Sequence, residues 1–409
     1  MQKCEKLFCC ASLHYADEVF IMDRKYKILH VISDTNIGGA GRVLLVFLAN
    51  FNRDKFDVSV VLPRGSLLLP EIQNLGIRTI EFDGIADKSF ALGAIKGLKK
   101  LYQEESPDII HSHASLSARI AAKRLKIKVV HTRHSVYTTQ STNAQQSYKK
   151  KFPYKNLAGA LNNYLSDIII AASPAAKISL METGTNQRKT VIIYNAIDGL
   201  ELLPPQEVRA YRHKYGIEDD DFVCCIIARL EKVKGHSYVL KAAQMVQWED
   251  PKVKFLIVGT GSEDAVLKRL ADVLELKNVI FTGFVQDVSE ILNISNVQLN
   301  ASFSEATSLS LLEGLSLGIP AIATDVGGNP FVINDGVNGI LFESKDYAAL
   351  YKAIIELKAD TAEYEHLSKR AKEIFNERFT ASVHAAKVED VYCKLLGVGQ
   401  ETNANEVKS

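Results

Sequence analysis

Two glutamates and the start of a helix form the strongest chemical signal in the sequence. The segment SFSEATSLSLLEGLSLGIPAIATDVGG at 302–328 places Glu305 eight residues before Glu313. Ser308 and Leu309 open the helix that carries Glu313, and the free backbone amides of a helix start bind anions and hydroxyl groups. The second carboxylate can accept hydrogen bonds from a vicinal diol such as ribose. Glutamate pairs at this spacing also occur on many solvated helices, which is the alternative interpretation.

Two cations follow an apolar strand in the segment ARLEKVKGH at 228–236. Arg229 and Lys234 flank a turn there. Such cations can neutralise a diphosphate, because arginine binds it in bidentate fashion and lysine acts as a point charge. Taken by itself, this pair is more typical of an ordinary charged surface than of a binding site.

Two glycine turns lie between predicted strands and helices. In IGGAGR at 37–42, Gly38 and Gly39 allow the backbone to approach a phosphate at a helix N-terminus. GTGSED at 259–264 is the second turn. Neither contains a full G-x-G-x-x-G pattern, so a tight turn without a ligand explains each one as well.

Four histidines, His111, His113, His131 and His134, lie at or just past the carboxyl ends of predicted strands. A single histidine there usually packs or caps a neighbouring element. Four near one expected cleft favour hydrogen bonding or proton donation to a phosphate or a sugar. No Asp, Glu or Cys neighbour completes a ligand set, so no metal is predicted.

Two basic stretches occupy the first half of the chain, ARIAAKRLKIK at 118–128 and YKKKFPYK at 148–155. The second interleaves lysines with aromatic residues, which is typical of attachment to an anionic membrane surface or a lipid phosphate. A solvated helix face is the alternative, and no recognised nucleic-acid-binding module accompanies the charge. The candidate contacts with an acceptor or a membrane are His113, Arg133, Lys149, Lys150, Lys151 and Lys155.

The elements that position these residues are short β-branched strands alternating with helical segments. In the first half, strands are predicted at 27–33, 57–63, 77–82, 108–113, 128–134, 167–173 and 190–197. The pattern restarts in the second half, with strands predicted at 222–230, 254–261, 278–284, 297–302, 320–328 and 339–344. The alternation predicts two doubly wound parallel α/β domains, with ligands at the carboxyl ends of the strands.

Composition and charge agree with such a protein. The 409 residues are 47% hydrophobic and 24% charged, which excludes a collagen-like or disulfide-scaffold chain. The apolar runs fall far short of the ~20 residues of a membrane-spanning helix, and the spacing of the six cysteines indicates a reduced cytosolic protein. The net charge of +1 hides a split, since residues 24–200 carry +12 and residues 201–409 carry −9. The basic half favours an anionic ligand or surface.

Five motifs then appear in an order typical of one enzyme family. They are G-G-A-G-R (38–42), Y-N-A-I-D (194–198), R-L-x-x-x-K-G (229–235), V-G-T-G (258–261) and E-A-T-S-L-S-L-L-E (305–313). Over about residues 27–395 the sequence resembles the retaining glycosyltransferases of family 4, also called group 1. The resemblance implies a GT-B fold, two Rossmann-like domains facing across a cleft. It also implies metal-independent sugar transfer from a nucleotide-sugar, with UDP-sugar favoured and no cofactor.

The resemblance implies roles for individual residues. Arg229 and Lys234 would neutralise the leaving diphosphate. Glu305 and His134 would contact the donor sugar, and these four form the predicted catalytic set. Glu313 would bind the ribose hydroxyls. The implied donor-binding residues are Gly38, Gly39, Arg229, Lys234, Gly259, Thr307, Ser308, Leu309 and Glu313.

The same resemblance divides the chain into functional parts. Residues 1–26 are interpreted as an N-terminal extension, with Met22 as a candidate translation start. Residues 27–200 form an acceptor-side domain, and residues 201–379 form a domain that binds the nucleotide-sugar. A helix at 380–396 would cross back to the first domain, and 397–409 would be a disordered tail.

The expected partners are a nucleotide-sugar and a glycan or lipid-linked acceptor, with peripheral contact to an anionic membrane and no nucleic acid. The expected setting is cytoplasmic, at the inner face of the membrane, in the synthesis of an envelope polysaccharide or glycolipid. Three alternatives stay open at this point: a nucleotide-sugar epimerase of the same fold, a nicotinamide-dependent oxidoreductase, and a non-catalytic protein that only binds a nucleotide-sugar.

Overall fold

The computed structural model of the protein describes residues 24–134, 155–305 and 307–398. These residues form two parallel sheets of seven and six strands, each flanked by helices. The predicted pair of doubly wound α/β units is therefore confirmed. The N-terminal residues 1–23, the tail from 399 and the lysines Lys149–Lys151 lie outside the described residues.

The first sheet has the strand order β3-β2-β1-β4-β5-β6-β7, with every pair parallel. Its order reverses between β1 and β4, so a ligand crevice is expected beyond the carboxyl ends of these two strands. The strands are β1 Tyr26–Ile32, β2 Phe56–Pro63, β3 Arg78–Phe82, β4 Ile109–His113, β5 Lys128–Arg133, β6 Ile168–Ala171 and β7 Thr190–Ile192.

Helices cover both faces of this sheet. The first helix buries Val43 and Phe47 on one side of its axis, and this four-residue spacing turns an apolar stripe toward the strands. The described helices are α1 Gly39–Asn50, α2 Leu68–Asn74, α3 Leu92–Glu105, α4 Leu116–Arg124, α5 Lys155–Leu165 and α6 Pro174–Glu182.

The second sheet has the order β10-β9-β8-β11-β12-β13, again parallel throughout. Its order reverses between β8 and β11, which places the second crevice there. The strands are β8 Phe222–Ile227, β9 Val253–Val258, β10 Val279–Gly283, β11 Val297–Asn300, β12 Ala321–Thr324 and β13 Gly339–Phe342.

The remaining described helices follow in chain order. They are α7 Pro205–Lys214, α8 His236–Glu249, α9 Asp264–Val273, α10 Ser289–Leu292, α11 Leu309–Ser316, α12 Asn329–Val332, α13 Tyr347–Ala359, α14 Thr361–Arg378 and α15 Ala381–Leu396. In the described part of the chain, no helix is both long and apolar enough to span a bilayer.

The last helix, α15, packs on the first sheet rather than the second. Val388 and Tyr392 join the apolar core beneath β1 and β4, and the helix contacts α1. The Thr380 hydroxyl caps the N-terminus of α15 by accepting from the Val383 amide at 3.3 Å. The two sheets are therefore tied together by a helix that leaves one and buries its apolar side against the other.

Several predicted boundaries are wrong. The strands expected at 222–230 and 320–328 end at Ile227 and Thr324, and two further boundaries also differ. The strand expected at 190–197 ends at Ile192. The Ile193 amide still donates to the Ala171 carbonyl of β6 at 3.1 Å, but the Ile197 amide donates to the Phe379 carbonyl at 3.2 Å, at the junction with α15. The connector expected at 201–207 is helical from Pro205, since proline fits the first turn of a helix, where its missing N–H is not needed.

Candidate active site

A polar cavity of about 220 Å³ opens at the carboxyl edge of the second sheet, next to its switch point between β8 and β11. Six of the sequence-predicted residues line it, together with Asn300, Ser302 and Ser310. Those six are Arg229, Lys234, Glu305, Thr307, Ser308 and Leu309. Tertiary structure thus brings together two segments that lie about 70 residues apart in sequence.

The best-defined contact in the cavity joins Lys234 and Glu305. The Lys234 Nζ lies 2.7 Å from Glu305 Oε2, and the Ser302 hydroxyl donates to the same oxygen at 3.3 Å. Only 20% of the lysine side chain and 11% of the glutamate side chain are exposed. In such a sheltered place charges are less screened by water, and an ammonium has three N–H donors, so Lys234 can donate to an anion as well as to Glu305.

Backbone packing fixes where both of these residues point. Gly235 follows Lys234 with φ +70°, and a Cβ there would lie 2.0 Å from the Ala301 carbonyl oxygen. Gly327 packs equally closely on the Glu305 carbonyl, which also accepts from the Gly328 amide at 2.9 Å. The two glycines let the chain approach these loops in a way that a side chain would prevent.

Arg229 differs from Lys234 in its exposure. Its side chain is 74% exposed, and its guanidinium lies 2.7 Å from a Glu231 carboxylate oxygen. This pair lies at the cavity rim, where ion pairs contribute little to stability. A doubly charged phosphate group can therefore compete with Glu231 for the arginine.

The N-terminus of α11 faces the same cavity. Ser308 is the N-cap residue in extended conformation, but its side chain does not cap the helix and lies 3.0 Å from the Ser310 hydroxyl instead. The first-turn amides are therefore not satisfied by that side chain, and they present the positive end of the helix to an anion.

Glu313 lies on α11 and reaches across to the first domain. One of its carboxylate oxygens is 3.9 Å from the guanidinium of Arg42 on α1. Burial raises the pKa of Glu313 to about 7, an effect that Arg42 opposes and that Asp287 adds to. The sequence analysis missed Arg42 as a partner, although it is the last residue of the G-G-A-G-R motif.

The predicted donor-binding glycines have different environments. A Cβ at Gly38 or Gly39 would meet no atom within 4 Å, and neither has a positive φ. At Gly259, φ is +133° and a Cβ would lie 2.1 Å from the Ala228 carbonyl oxygen. Packing of the protein itself explains Gly259, whereas the described residues give no such reason for Gly38 and Gly39.

The predicted histidines of the first domain are mostly buried in the protein. His111, His113 and His131 are at most 5% exposed. His113 hydrogen-bonds through both ring nitrogens, to His30 and to His134, each at 3.0 Å. Both ring nitrogens of His113 are therefore engaged within the protein, and its contact with an acceptor or a membrane stays a prediction. His134, directly after β5, is half-buried, and it is the most accessible of the four.

His30 is a residue that sequence analysis missed. It lies inside the apolar strand β1, where an isolated histidine gives no chemical signal. In the parallel register, however, His30 is paired with His111, and Ile32 with His113. Alignment of β1 with β4 would have found it. Arg133 ends β5 and is half-buried, and Lys155 begins α5.

Two Rossmann-like sheets, a polar cavity at one switch point and a charged contact between the halves are the features of the GT-B fold. Comparison with family models agrees. Residues 37–199 match "Glycosyltransferase Family 4", and residues 207–374 match "Glycosyl transferases group 1". The chain belongs to this family of enzymes that transfer glycosyl groups.

Among curated relatives, the chain is 24% identical over 384 residues to the UDP-Gal:alpha-D-GlcNAc-diphosphoundecaprenol alpha-1,3-galactosyltransferase of Escherichia coli, covering 91% of this chain and 98% of that one. It is 28% identical to the putative glycosyltransferase EpsD of Bacillus subtilis, covering 65% of this chain and 71% of the relative. The fold is similar to the crystal structure of Anabaena Alr3699/HepE in complex with UDP, with a TM-score of 0.76 and 20% identity over 91% of this chain and all of that one.

Proposed function

We propose that this enzyme is a retaining, metal-independent transferase that moves a sugar from a UDP-sugar to a glycan or lipid-linked acceptor in cell-envelope synthesis. The observation that carries the proposal is the sheltered Lys234–Glu305 pair beside the uncapped start of α11. A cation, a carboxylate and the first-turn amides of α11 in one cavity suit a diphosphate joined to a sugar.

The proposed chemistry breaks the bond between the anomeric carbon and a phosphate oxygen and forms a bond from that carbon to an acceptor oxygen. Negative charge develops on the departing diphosphate. Lys234, Arg229 and the amides of α11 would stabilise that charge once Arg229 exchanges Glu231 for the phosphate, and groups aimed at developing charge contribute strongly to catalysis. Glu305 would hold Lys234 and accept from a sugar hydroxyl, and Glu313 would accept from the ribose.

UDP is the favoured nucleotide because the fold is similar to that of a protein crystallised with UDP, and the E. coli relative carries UDP-Gal in its name. That relative's name also contains a diphosphoundecaprenol acceptor, and another relative is an alpha-monoglucosyldiacylglycerol synthase of Acholeplasma laidlawii, 28% identical over 308 residues. A lipid-linked acceptor at the cytoplasmic membrane face is therefore proposed here.

An exposed apolar face on the first domain supports membrane contact. Leu157, Leu161 and Tyr164 recur at four- and three-residue spacing along α5 and are 38–66% exposed. Ile178 and Met181 on the adjoining α6 are exposed as well. A helix with apolar residues on one side and cations nearby is typical of an interfacial membrane segment.

Cations accompany this apolar face. The Lys123 ammonium lies 5.5 Å from the centre of the Tyr164 ring. Charge attraction to anionic lipid adds about 1 kcal/mol for each lysine or arginine near the surface. The proposed contacts Lys149, Lys150 and Lys151 precede α5 in sequence and would add to this attraction.

The activity test is a transfer assay of the full chain with UDP-, GDP- and ADP-sugars, a polyprenyl-diphosphate glycan and diacylglycerol as acceptors, in excess EDTA and in Mg²⁺. We expect transfer from one UDP-sugar, unaffected by EDTA, with an α-linked product from an α-linked donor by NMR. Inversion at the anomeric carbon, or transfer only with Mg²⁺, would refute that part of the proposal. Conversion of the UDP-sugar to its epimer without an acceptor would favour the epimerase.

The membrane test is co-sedimentation with vesicles of phosphatidylglycerol or phosphatidylcholine. Leu161→Ser is expected to reduce binding to the anionic vesicles several-fold. Val273→Ser is the matched control, since Val273 is 72% exposed on the second domain. Equal loss in both variants, or equal binding to both lipids, would count against this surface.

A further inference from the structure

A continuous run of hydrogen bonds crosses the core of the first domain. The Tyr392 hydroxyl on α15 lies 3.1 Å from His30 Nε2, and His30 Nδ1 lies 3.0 Å from His113 Nε2. His113 Nδ1 lies 3.0 Å from His134 Nε2. His30, His113 and Tyr392 are at most 5% exposed, so the run connects the last helix with the carboxyl edge of β5 through the protein interior.

The run continues past Tyr392 to one more hydroxyl. His111 Nδ1 lies 2.5 Å from the Tyr392 oxygen, and His111 Nε2 lies 2.6 Å from the Thr132 hydroxyl. The other end is His134 Nδ1, which is buried and has no hydrogen-bond partner among the described residues. A buried polar atom without a partner costs free energy, so a ligand hydroxyl that reached it would be bound.

All four imidazoles are held neutral. Burial lowers the pKa of His30 to about 3 and that of His134 to about 4. Burial also lowers the pKa of His111 and of His113 well below the ordinary value. A neutral imidazole has one N–H donor and one acceptor nitrogen, so each ring can pass on the direction of its neighbour's hydrogen bond.

Two proton arrangements satisfy every bond in the run. In the first, each donor points from Thr132 toward His134, and His134 Nδ1–H is a free donor. In the second, every bond is reversed, His134 Nε2–H donates to His113 Nδ1, and His134 Nδ1 is a free acceptor. Both contain the same number of protons, and they differ only in the tautomer of each ring and in hydroxyl rotation.

We propose that His113 and His30 are positioning residues that, with Tyr392, hold the His134 ring and let its Nδ1 act as donor or acceptor toward a hydroxyl of the donor sugar. The inference rests on the proposed function, in which His134 contacts that sugar. A sugar hydroxyl can donate or accept a hydrogen bond. Because the His134 ring can change tautomer without leaving any group of the run unpaired, its Nδ1 can bind the hydroxyl in either role. Because Tyr392 belongs to α15, the position of the His134 ring also depends on the packing of that helix.

A metal ion is the alternative occupant of this cluster, because nitrogens of His30, His111 and His113 lie within 4.8 Å of one another. Two features favour the hydrogen-bonded run. All six nitrogens of these rings already have partners at 2.5–3.1 Å. The His111 and His113 rings are stacked at 20°, with centres 4.6 Å apart, whereas metal ligands aim their in-plane lone pairs at one centre.

The test compares two buried tyrosines of the same domain. Tyr392→Phe removes the central hydroxyl of the run, while Tyr102→Phe removes a buried hydroxyl that has no partner among the described residues. We expect Tyr392→Phe to lower kcat about tenfold with less than a twofold change in donor KM, and Tyr102→Phe to change neither. Thr132→Val should lower kcat less strongly, and Thr132→Ser should restore it.

A second readout needs no substrate. The full chain with 15N-labelled histidine is expected to give His134 resonances of a neutral ring from pH 5 to 8, and their tautomer ratio should shift in Tyr392→Phe but not in Tyr102→Phe. Unchanged resonances and kcat in Tyr392→Phe would overturn the proposal, as would stoichiometric zinc in the purified protein. If no nucleotide-sugar is turned over, the proposed function fails while the resonance shift still tests the run.

Discussion

The carboxyl edges of the two sheets have the same topology and opposite chemistry. At the first edge, His30, His111 and His113 are buried and neutral. At the second, Lys234 and Glu305 carry charge beside the exposed Arg229. The first edge offers a ligand hydroxyl one neutral hydrogen-bonding atom, His134 Nδ1, whereas the second edge is suited to neutralising an anion.

The net charges of the two halves do not match the charges of these two edges. Residues 24–200 carry +12 and residues 201–409 carry −9, yet the cations suited to a diphosphate lie in the acidic half. The charge of a domain is summed mostly over its solvated surface. A site depends instead on a few sheltered groups, for which the interaction with a ligand is less screened.

The largest effect is expected at the charged edge, from Lys234→Ala. It removes the sheltered cation and leaves Glu305 without its partner, so kcat/KM for transfer should fall about 100- to 1,000-fold, as for the loss of one charge-stabilising donor. Steady-state kinetics with the UDP-sugar measures this. Lys232→Ala is the control, because Lys232 is exposed on the same turn. If Lys234→Ala lowered kcat/KM only slightly, the charged edge of the second sheet would not be the one that stabilises the leaving diphosphate.

The glycine turns give the next prediction, because the two edges differ there too. Gly259→Ala combines φ +133° with a carbonyl oxygen 2.1 Å from the new Cβ, and it should lower the free energy of unfolding by about 3 kcal/mol.

Gly39→Ala meets no atom within 4 Å and begins a helix, so stability should hold or rise slightly. Donor affinity should nevertheless fall several-fold, if a phosphate approaches that backbone. Denaturant unfolding and UDP titration separate the two quantities. Equal destabilisation by both variants would contradict the distinction.

The last prediction concerns Glu313, whose carboxylate lies 3.9 Å from the guanidinium of Arg42 in the first domain. Because its pKa is raised to about 7, the side chain is mostly protonated at pH 6 and mostly ionised at pH 8. The ionised form accepts more strongly from ribose hydroxyls, so UDP affinity should increase as the pH rises through this range. Glu313→Gln should weaken binding about tenfold at pH 8, the size expected for a charge-assisted hydrogen bond, and should flatten the pH profile.

Isothermal titration from pH 6 to pH 8 measures both quantities. Glu343→Gln, an exposed change in the same domain, is the control. If the UDP affinity of the wild-type protein did not change with pH, Glu313 would not bind the ribose hydroxyls, and another residue would have to do so.

The sequence by itself determined the α/β class, the order of the motifs and the residues of the charged edge. Strand–helix alternation and motif spacing are local properties, and they predict β8, β11 and α11 with the side chains that follow them. Strand ends were less accurate: β7 stops at Ile192, and by Ile197 the chain bonds to Phe379, just before α15, instead of to a neighbouring strand.

Only the tertiary structure decided which distant groups meet. Tyr392 bonds to His30 across 362 residues, and Arg42 faces Glu313 from another domain. Strand register and helix packing fix these pairs, and neither is encoded in the spacing of one segment. The same packing removes water from Glu313 and from the histidines. Their protonation is therefore a property of the fold, because the burial that shifts each pKa comes from residues far along the chain.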